Sequence, residues 1–362
     1  MTQHSETTLQ ETASQATTSP EKTQPVNVAI LGAGDIAHAM ATTLNGMLAD
    51  ERYAGLVRPY AVATRNSQER AQEFASKYGI PVAYGSYEQL YEDPQVDLVY
   101  IATPHALHAD QAIACMKHGK AVLVEKSFTA NAQQARRVLE VSRDTGQACV
   151  EAIWTRFMPS RKKLVELIDS GVIGEVTDVS ANLSYPLEHK ARIMDPQMAG
   201  GALLDVGVYT INFIDMMTED YHLDRLNSVA SFTSTGVDQQ STTAMWRSKP
   251  GKPTVMATAT SSTLSVGTRR GMVMGTKGYM IVTNINNPEK VDIYNNQHQL
   301  TDSITLNEGQ ITGYEYQVVE AAKARMNGEI EAPSMPHADT LRVMEIMDSI
   351  REQWGEVYPF ER

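Results

Sequence analysis

Residues 28–37, Val-Ala-Ile-Leu-Gly-Ala-Gly-Asp-Ile-Ala, constrain this chain more than any other stretch. Four apolar residues of buried-strand type run into Gly32-Ala33-Gly34. The pattern then turns helical, with Ile36, Ala37, Met40 and Leu44 recurring at helical spacing. A strand, a tight glycine turn and a helix in that order carry the spacing Gly-x-Gly-x-x-Ala, the arrangement that brings backbone up to a pyrophosphate. Glycine lets the turn close, and the small Ala37 lets the helix lie near the strand. The free N–H groups and dipole of the first helical turn, at Asp35 and Ile36, then face the anion. A strand–helix turn without a ligand can carry the same spacing, so the surrounding organisation has to decide.

Strand and helix patterns alternate from residue 26 to residue 153. Apolar runs at 60–64, 82–84, 96–103, 121–124 and 148–153 follow the first strand, with helical patterns between them. The run 96–103 is almost continuously apolar and β-branched, as suits a central parallel strand covered on both faces. Six strands alternating with helices predict a doubly wound parallel sheet, whose ligands bind beyond the carboxyl ends of the strands. Residues 1–24 hold hardly an apolar side chain and predict a disordered tail. The expected organisation is therefore a tail (1–24), a dinucleotide-binding domain (25–153) and a second domain (154–362).

Composition narrows the function. A chain of 362 residues with 42% hydrophobic residues can bury two cores. A net charge of −12 argues against nucleic acid or an anionic membrane as partner. Cys115 and Cys149, the only cysteines, sit in apolar segments and read as buried thiols of a reducing compartment, with a single disulfide as the alternative. There is no Cys-x-x-Cys or His-Glu-x-x-His spacing, so no metal site is expected. No apolar run approaches membrane-spanning length and no secretory leader pattern is seen, which predicts a soluble cytoplasmic protein.

The strand ends supply the candidate site residues. After the second strand stand Thr64-Arg65-Asn66-Ser67, with no acid before Glu69. An NAD site places a carboxylate there for the ribose hydroxyl, whereas Arg65 and Thr64 suit the 2′-phosphate of NADP(H). NADP(H) is thus favoured, with NAD(H) as the alternative. After the fourth strand stand Thr103, Pro104 and His105, with His108 one turn on. They are placed to touch the nicotinamide, or the histidines merely cap the next helix. After the fifth strand come Glu125 and Lys126, the lysine directed into the cleft.

The second half changes regime. From about 176 to 306 the segments are short strands rich in Thr, Ser, Val and Met, predicting an antiparallel sheet with one face wet or covered by a partner. Residues 202–217 read as one helix, with Asp205 and Tyr209 one turn apart on one face. Such a pair is either a structural hydrogen bond or part of a catalytic set. Two more helical patterns follow, at 314–327 and 337–354.

Taken together, Glu125-Lys126-Ser127, the segment 151–157 (Glu-Ala-Ile-Trp-Thr-Arg-Phe) and the segment 199–209 (Ala-Gly-Gly-Ala-Leu-Leu-Asp-Val-Gly-Val-Tyr) resemble the glucose–fructose oxidoreductase / inositol dehydrogenase (Gfo/Idh/MocA) family. The likeness is greatest to its dihydrodiol- and xylose-oxidising branch. Ser127 stands where the family's Glu-Lys-Pro motif has proline. The resemblance implies a Rossmann domain, an α/β domain with a large open antiparallel sheet, and NAD(P)-dependent oxidation of a sugar or vicinal diol. It assigns Tyr209 as proton donor or acceptor, Lys126 as its partner and Asp205 as their support. An unperturbed tyrosine titrates near about 10, and the Lys126 cation is expected to lower Tyr209 toward neutrality. Trp154, Arg156 and Arg192 flank these motifs and are candidates for substrate contact. A homodimer or homotetramer formed through the second sheet is also implied.

Overall fold

The computed structural model describes residues 24–362. The predicted tail, 1–24, lies outside the described residues except for Gln24. Strands β1 (Val26–Leu31), β2 (Val57–Ala63), β3 (Val82–Tyr84), β4 (Leu98–Ile101), β5 (Ala121–Glu125) and β6 (Cys149–Ala152) alternate with helices α1 (Asp35–Ala49), α2 (Gln68–Tyr78), α3 (Tyr87–Glu92), α4 (His105–Lys117) and α5 (Ala132–Thr145). The six strands form one parallel sheet in the order β3-β2-β1-β4-β5-β6. Strand order reverses between β1 and β4, which opens a crevice over their carboxyl ends. Both strands are buried along their whole length, the physical reason their sequences read as unbroken apolar runs.

Helix starts in this half are capped by side chains where no ligand is needed. Ser67, Ser86 and Asn131 accept hydrogen bonds from N–H groups in the first turns of α2, α3 and α5. Helices α1 and α4 differ: their N-caps, Gly34 and Pro104, offer no side-chain hydrogen bond, and α1 starts directly after the glycine turn. Its first N–H groups therefore lack a side-chain acceptor at the crevice.

After α6 (Pro159–Asp169) the chain builds a second sheet from β7 (Val176–Ser184), then crosses α7 (Ala191–Met194) and α8 (Val208–Met217). It returns through β8 (His222–Phe232), β9 (Asp238–Ser248), β10 (Val255–Ser262), β11 (Gly271–Gly275), β12 (Gly278–Thr283), β13 (Lys290–Asn295) and β14 (Leu300–Thr305). The eight strands lie in the order β14-β13-β12-β11-β7-β10-β9-β8, antiparallel except for the β7–β10 pair. Helix α8 packs on β7 and β10, and Val229 and Val266 are exposed. Strand β14 carries no alternation of buried and exposed positions, so its sequence has no periodicity from which to read it.

Helix α9 (Glu315–Asn327) folds back onto β4, β5 and β6 of the first sheet, and α10 (His337–Trp354) packs against α5, α8 and β8. The Cys149 N–H donates to Ile330 O at 2.9 Å, and the His337 ring bonds to Cys149 O at 2.8 Å. Cys115 and Cys149 are buried free thiols, which removes the disulfide alternative. Among the described residues no helix is long and apolar enough to cross a membrane, and no cluster of three or more His, Cys, Asp or Glu is arranged for a metal ion.

Candidate active site

The crevice at the strand-order reversal is a cleft of about 510 Å³. Its floor is the turn Gly32-Ala33-Gly34 with Asp35 and Ile36, and its walls include Thr103, Pro104, His105, Glu125, Lys126 and Asp205. Gly32 has φ +108°, and a Cβ there would meet Ala102 O at 2.7 Å, so the turn closes only with glycine. Gly34 is different in kind: a Cβ there would meet nothing within 4 Å. The protein does not fill the space above that residue, and the uncapped α1 start faces it. A backbone cradle without a side-chain acceptor is the chemistry that receives a pyrophosphate.

Lys126 follows β5 and reaches across the cleft to the second sheet's side. Its ammonium donates to Asp205 O at 2.7 Å and to Asp205 Oδ1 at 3.3 Å. It also stands 5.3 Å from the centroid of the Tyr209 ring. Arg192 donates to the same Asp205 Oδ1 at 2.7 Å. Burial by itself raises the Asp205 carboxyl, but Lys126 and Arg192 outweigh it and hold the group well below the usual carboxylate range. Asp205 is thus an anion joining two cations from separate elements.

The helix carrying Asp205 and Tyr209 is not the single α-helix the sequence predicts. Leu203–Gly207 form a π-helical turn that leads into α8. A widened turn changes which carbonyls find partners inside the helix. Asp205 O accepts from Lys126 Nζ and Leu204 O accepts from Ser127 Oγ at 2.8 Å. The serine at the proline position of the Glu-Lys-Pro motif therefore ties the Lys126 turn to the π turn. Gly201, at φ +109°, lies so close to Asp238 that a Cβ would meet its Oδ1 at 2.1 Å, and Asp238 Oδ2 accepts from Leu203 N at 2.8 Å.

Tyr209 is nearly buried, beside Trp154, whose indole stacks on Tyr314 at 4.0 Å between centroids. Burial, then Tyr314, Glu125 and Asp205, push the Tyr209 phenol well above its ordinary value. This direction is opposite to the expectation that Lys126 lowers it; desolvation of the phenolate outweighs the nearby cation. Glu125 is also raised by burial, and it accepts from the Tyr100 hydroxyl.

Other residues are placed differently from the sequence expectation. His105 lines the cleft but is buried, with its Nδ1 N–H donating to Ala199 O at 3.0 Å. Burial, then Lys126, lowers it to about 3, so the ring is neutral. His108 does not line the cleft. Its ring nitrogens face Ser127 O at 2.9 Å and Thr103 O at 2.8 Å, holding together the turns after β5 and β4. Thr64 and Arg65 do not line the cleft either. Thr64 Oγ1 donates to Ser67 O, and Arg65 is exposed past the rim.

Arg156 is a correction. It is wholly buried away from the cleft and donates to Asn212, Asp215 and Asp339. Its place beside the motif residues makes it a substrate candidate, but the three-residue turn Trp154–Arg156 sends Trp154 to Tyr314 and Arg156 to Asn212, Asp215 and Asp339. Sequence reasoning also missed Arg70, Tyr87 and Lys190, all of which line the cleft. Arg70 lies in the first turn of α2, and its Nη2 donates to Ala33 O at 3.0 Å. A search extended into the first turn of α2, past the end of β2, finds it. Lys190 lies in the irregular segment before α7, where no periodicity points to it.

A six-stranded 3-2-1-4-5-6 sheet with this cleft is the architecture of a dinucleotide-binding Rossmann domain. Residues 26–152 match the model of the oxidoreductase family with an NAD-binding Rossmann fold, Gfo/Idh/MocA, and residues 162–281 match the Gfo/Idh/MocA C-terminal domain. The chain is 32% identical over 336 residues to trans-1,2-dihydrobenzene-1,2-diol dehydrogenase of Mus musculus, covering 92% of this chain and 98% of that one. It is 31% identical to the Danio rerio protein of the same name, covering 91% and 97%. Among solved structures, a 3-ketoreductase from Actinomadura kijaniata in complex with NADP and TDP-benzene matches at a TM-score of 0.77 and 25% identity, over 91% of this chain and 98% of that one. The chain belongs to the Gfo/Idh/MocA oxidoreductase family.

Proposed function

We propose that this oxidoreductase is NADP(H)-dependent and transfers a hydride between the nicotinamide and a hydroxyl-bearing carbon of a vicinal diol or sugar. Residues 25–153 serve as the dinucleotide-binding unit, and residues 154–362 serve substrate binding and assembly into a homo-oligomer through the second sheet. The observation that carries the reading is that Lys126 and Asp205 line the cleft above the Gly32–Gly34 turn and are bonded to each other, with the buried Tyr209 ring 5.3 Å from the Lys126 ammonium. The named relatives act on a dihydrodiol, and the Actinomadura structure holds NADP.

The bound dinucleotide would supply or accept the hydride. Tyr209, kept protonated by its buried setting, donates the proton to the carbonyl oxygen in the reductive direction. Lys126 places a cation beside the oxygen where negative charge develops, and Asp205 fixes its ammonium. In the oxidative direction Tyr209 receives the hydroxyl proton, which requires the phenolate and so favours alkaline conditions. Arg70 in the cleft wall, with Arg65 exposed past the rim, supplies cations for a 2′-phosphate.

Titration of NADPH and NADH by nicotinamide fluorescence, on wild type and on Arg65→Ala and Arg70→Ala, tests the cofactor. The expected result is tighter binding of NADPH, with the preference falling about tenfold or more in Arg70→Ala. Equal binding of NADH would move an NAD-linked sugar or inositol dehydrogenase ahead. Absence of binding would overturn the enzyme reading itself.

A further inference from the structure

We infer that Lys190 is a dinucleotide-binding residue: a cation carried by the second half of the chain that closes over the Gly32–Gly34 turn and takes the pyrophosphate. The inference rests on the dinucleotide reading above. Lys190 lies in the segment between β7 and α7, far in sequence from the turn, yet its ammonium donates to Asp35 Oδ2 at 2.9 Å. Asp35 is the first residue of α1, directly after the glycine turn. The Lys190 segment therefore spans the cleft and sets its charge at the α1 N-terminus.

The other cations of the cleft have other partners or, in the case of Arg70, the 2′-phosphate role proposed above. Lys126 and Arg192 both bind Asp205, and Arg70 donates to Ala33 O. Lys190 is held only by a side chain that is 88% exposed. An exposed ion pair is weakened by water and salt, so a phosphate oxygen at the same helix end competes for the ammonium. The pairing also answers an electrostatic problem. A carboxylate at Asp35 suits the helix dipole, but it repels a phosphate brought to the same N–H groups. The Lys190 charge offsets that repulsion, and its flexible stem lets it move from carboxylate to phosphate without moving the backbone.

The mechanism separates Lys190 from Arg70. NADPH and NADH carry the same pyrophosphate, so a Lys190 substitution weakens both equally, whereas a 2′-phosphate contact affects only NADPH. It also separates a phosphate contact from a mere tether. If the Lys190–Asp35 pair only held the segment in place, removing either partner would weaken binding alike.

The experiment measures the Kd of NADPH and NADH by nicotinamide fluorescence on wild type, Lys190→Ala, Lys190→Arg, Asp35→Asn and the Lys190→Ala/Asp35→Asn double variant. Melting temperatures confirm that each is folded. Lys190→Ala is expected to raise both Kd values about tenfold, and Lys190→Arg to retain most of the affinity. Asp35→Asn, which removes the carboxylate that holds the ammonium and repels the phosphate, is expected to tighten binding of both nucleotides, and to restore part of the affinity in the double variant. Equal losses in Lys190→Ala and Asp35→Asn, or a Kd unchanged in Lys190→Ala, would overturn the inference. Failure of wild type to bind either nucleotide would instead overturn the dinucleotide reading.

Discussion

Replacing Arg156 by Met should unfold the protein more easily while leaving nucleotide binding intact. The side chain of Arg156 is fully buried. Its Nε donates to Asn212 Oδ1 at 2.7 Å, its Nη1 to Asp339 Oδ2 at 2.9 Å and its Nη2 to Asp215 Oδ2. Removing one partner of a buried ion pair costs about 3–5 kcal/mol, because the remaining charge is left desolvated. Here Asp215 keeps Arg247 at 2.9 Å and Arg342 at 2.7 Å. The cost of Arg156→Met should therefore fall at the lower end, about 3 kcal/mol. Asp215→Asn should cost more, about 5 kcal/mol, since it leaves Arg247 and Arg156 buried with too little negative charge between them. Urea unfolding followed by circular dichroism gives both values, and NADPH titration checks the cleft. The pair also sets an acid limit. Burial alone would raise Asp215, but Arg342, Arg156 and Arg247 hold it well below the usual range. Its stabilisation is present above the unfolded carboxylate value of about 4 and is lost as pH falls through the lower folded value. Wild type should thus lose stability in acid more steeply than Asp215→Asn. A cost below about 1 kcal/mol for Arg156→Met, accompanied by a raised KM, would refute the structural placement and return Arg156 to the substrate cleft.

Lys126→Met and Tyr209→Phe should each lower kcat by a factor of about 100 or more while changing the NADPH Kd only a few-fold; a drop confined to KM in steady-state assays would show that neither takes part in proton transfer. Glu151 is buried with both carboxylate oxygens unpartnered, and burial pushes it up to about 7. A raised folded value means that stability is fully present below the unfolded value of about 4 and is lost as pH rises through about 7. Glu151→Gln should therefore be more stable than wild type at pH 8 by roughly 2–3 kcal/mol, with the difference shrinking toward pH 5. Thermal melts across that range, showing a constant difference, would mean that Glu151 stays ionised.

The local patterns in the sequence carry most of the architecture. The buried runs of β1 and β4, the Gly32–Gly34 turn and the side-chain caps at Ser67, Ser86 and Asn131 act over a few residues, so they can be read in order along the chain. The same holds for α10, whose boundaries at His337 and Trp354 follow from its apolar period and its terminal glycine. Lys126, Asp205 and Tyr209 are legible as residue types at motif positions, and the structure brings them together. Their chemistry is not legible there. The rise in the Tyr209 value comes from burial, with Tyr314, Glu125 and Asp205 adding to it, and these residues lie far apart in the chain, which no spacing encodes.

What the sequence by itself determined is the succession of strands and helices, the glycine turn and the membership of the family. Each depends on neighbours within a turn or a strand length. Only the tertiary structure decided which charged side chains share a cleft. Arg156 left the site for a buried ion cluster with Asp215, 59 residues on in the chain, and Lys190 entered it by pairing with Asp35, 155 residues back. Charge pairing acts through space between side chains of long reach, and periodicity carries no record of it.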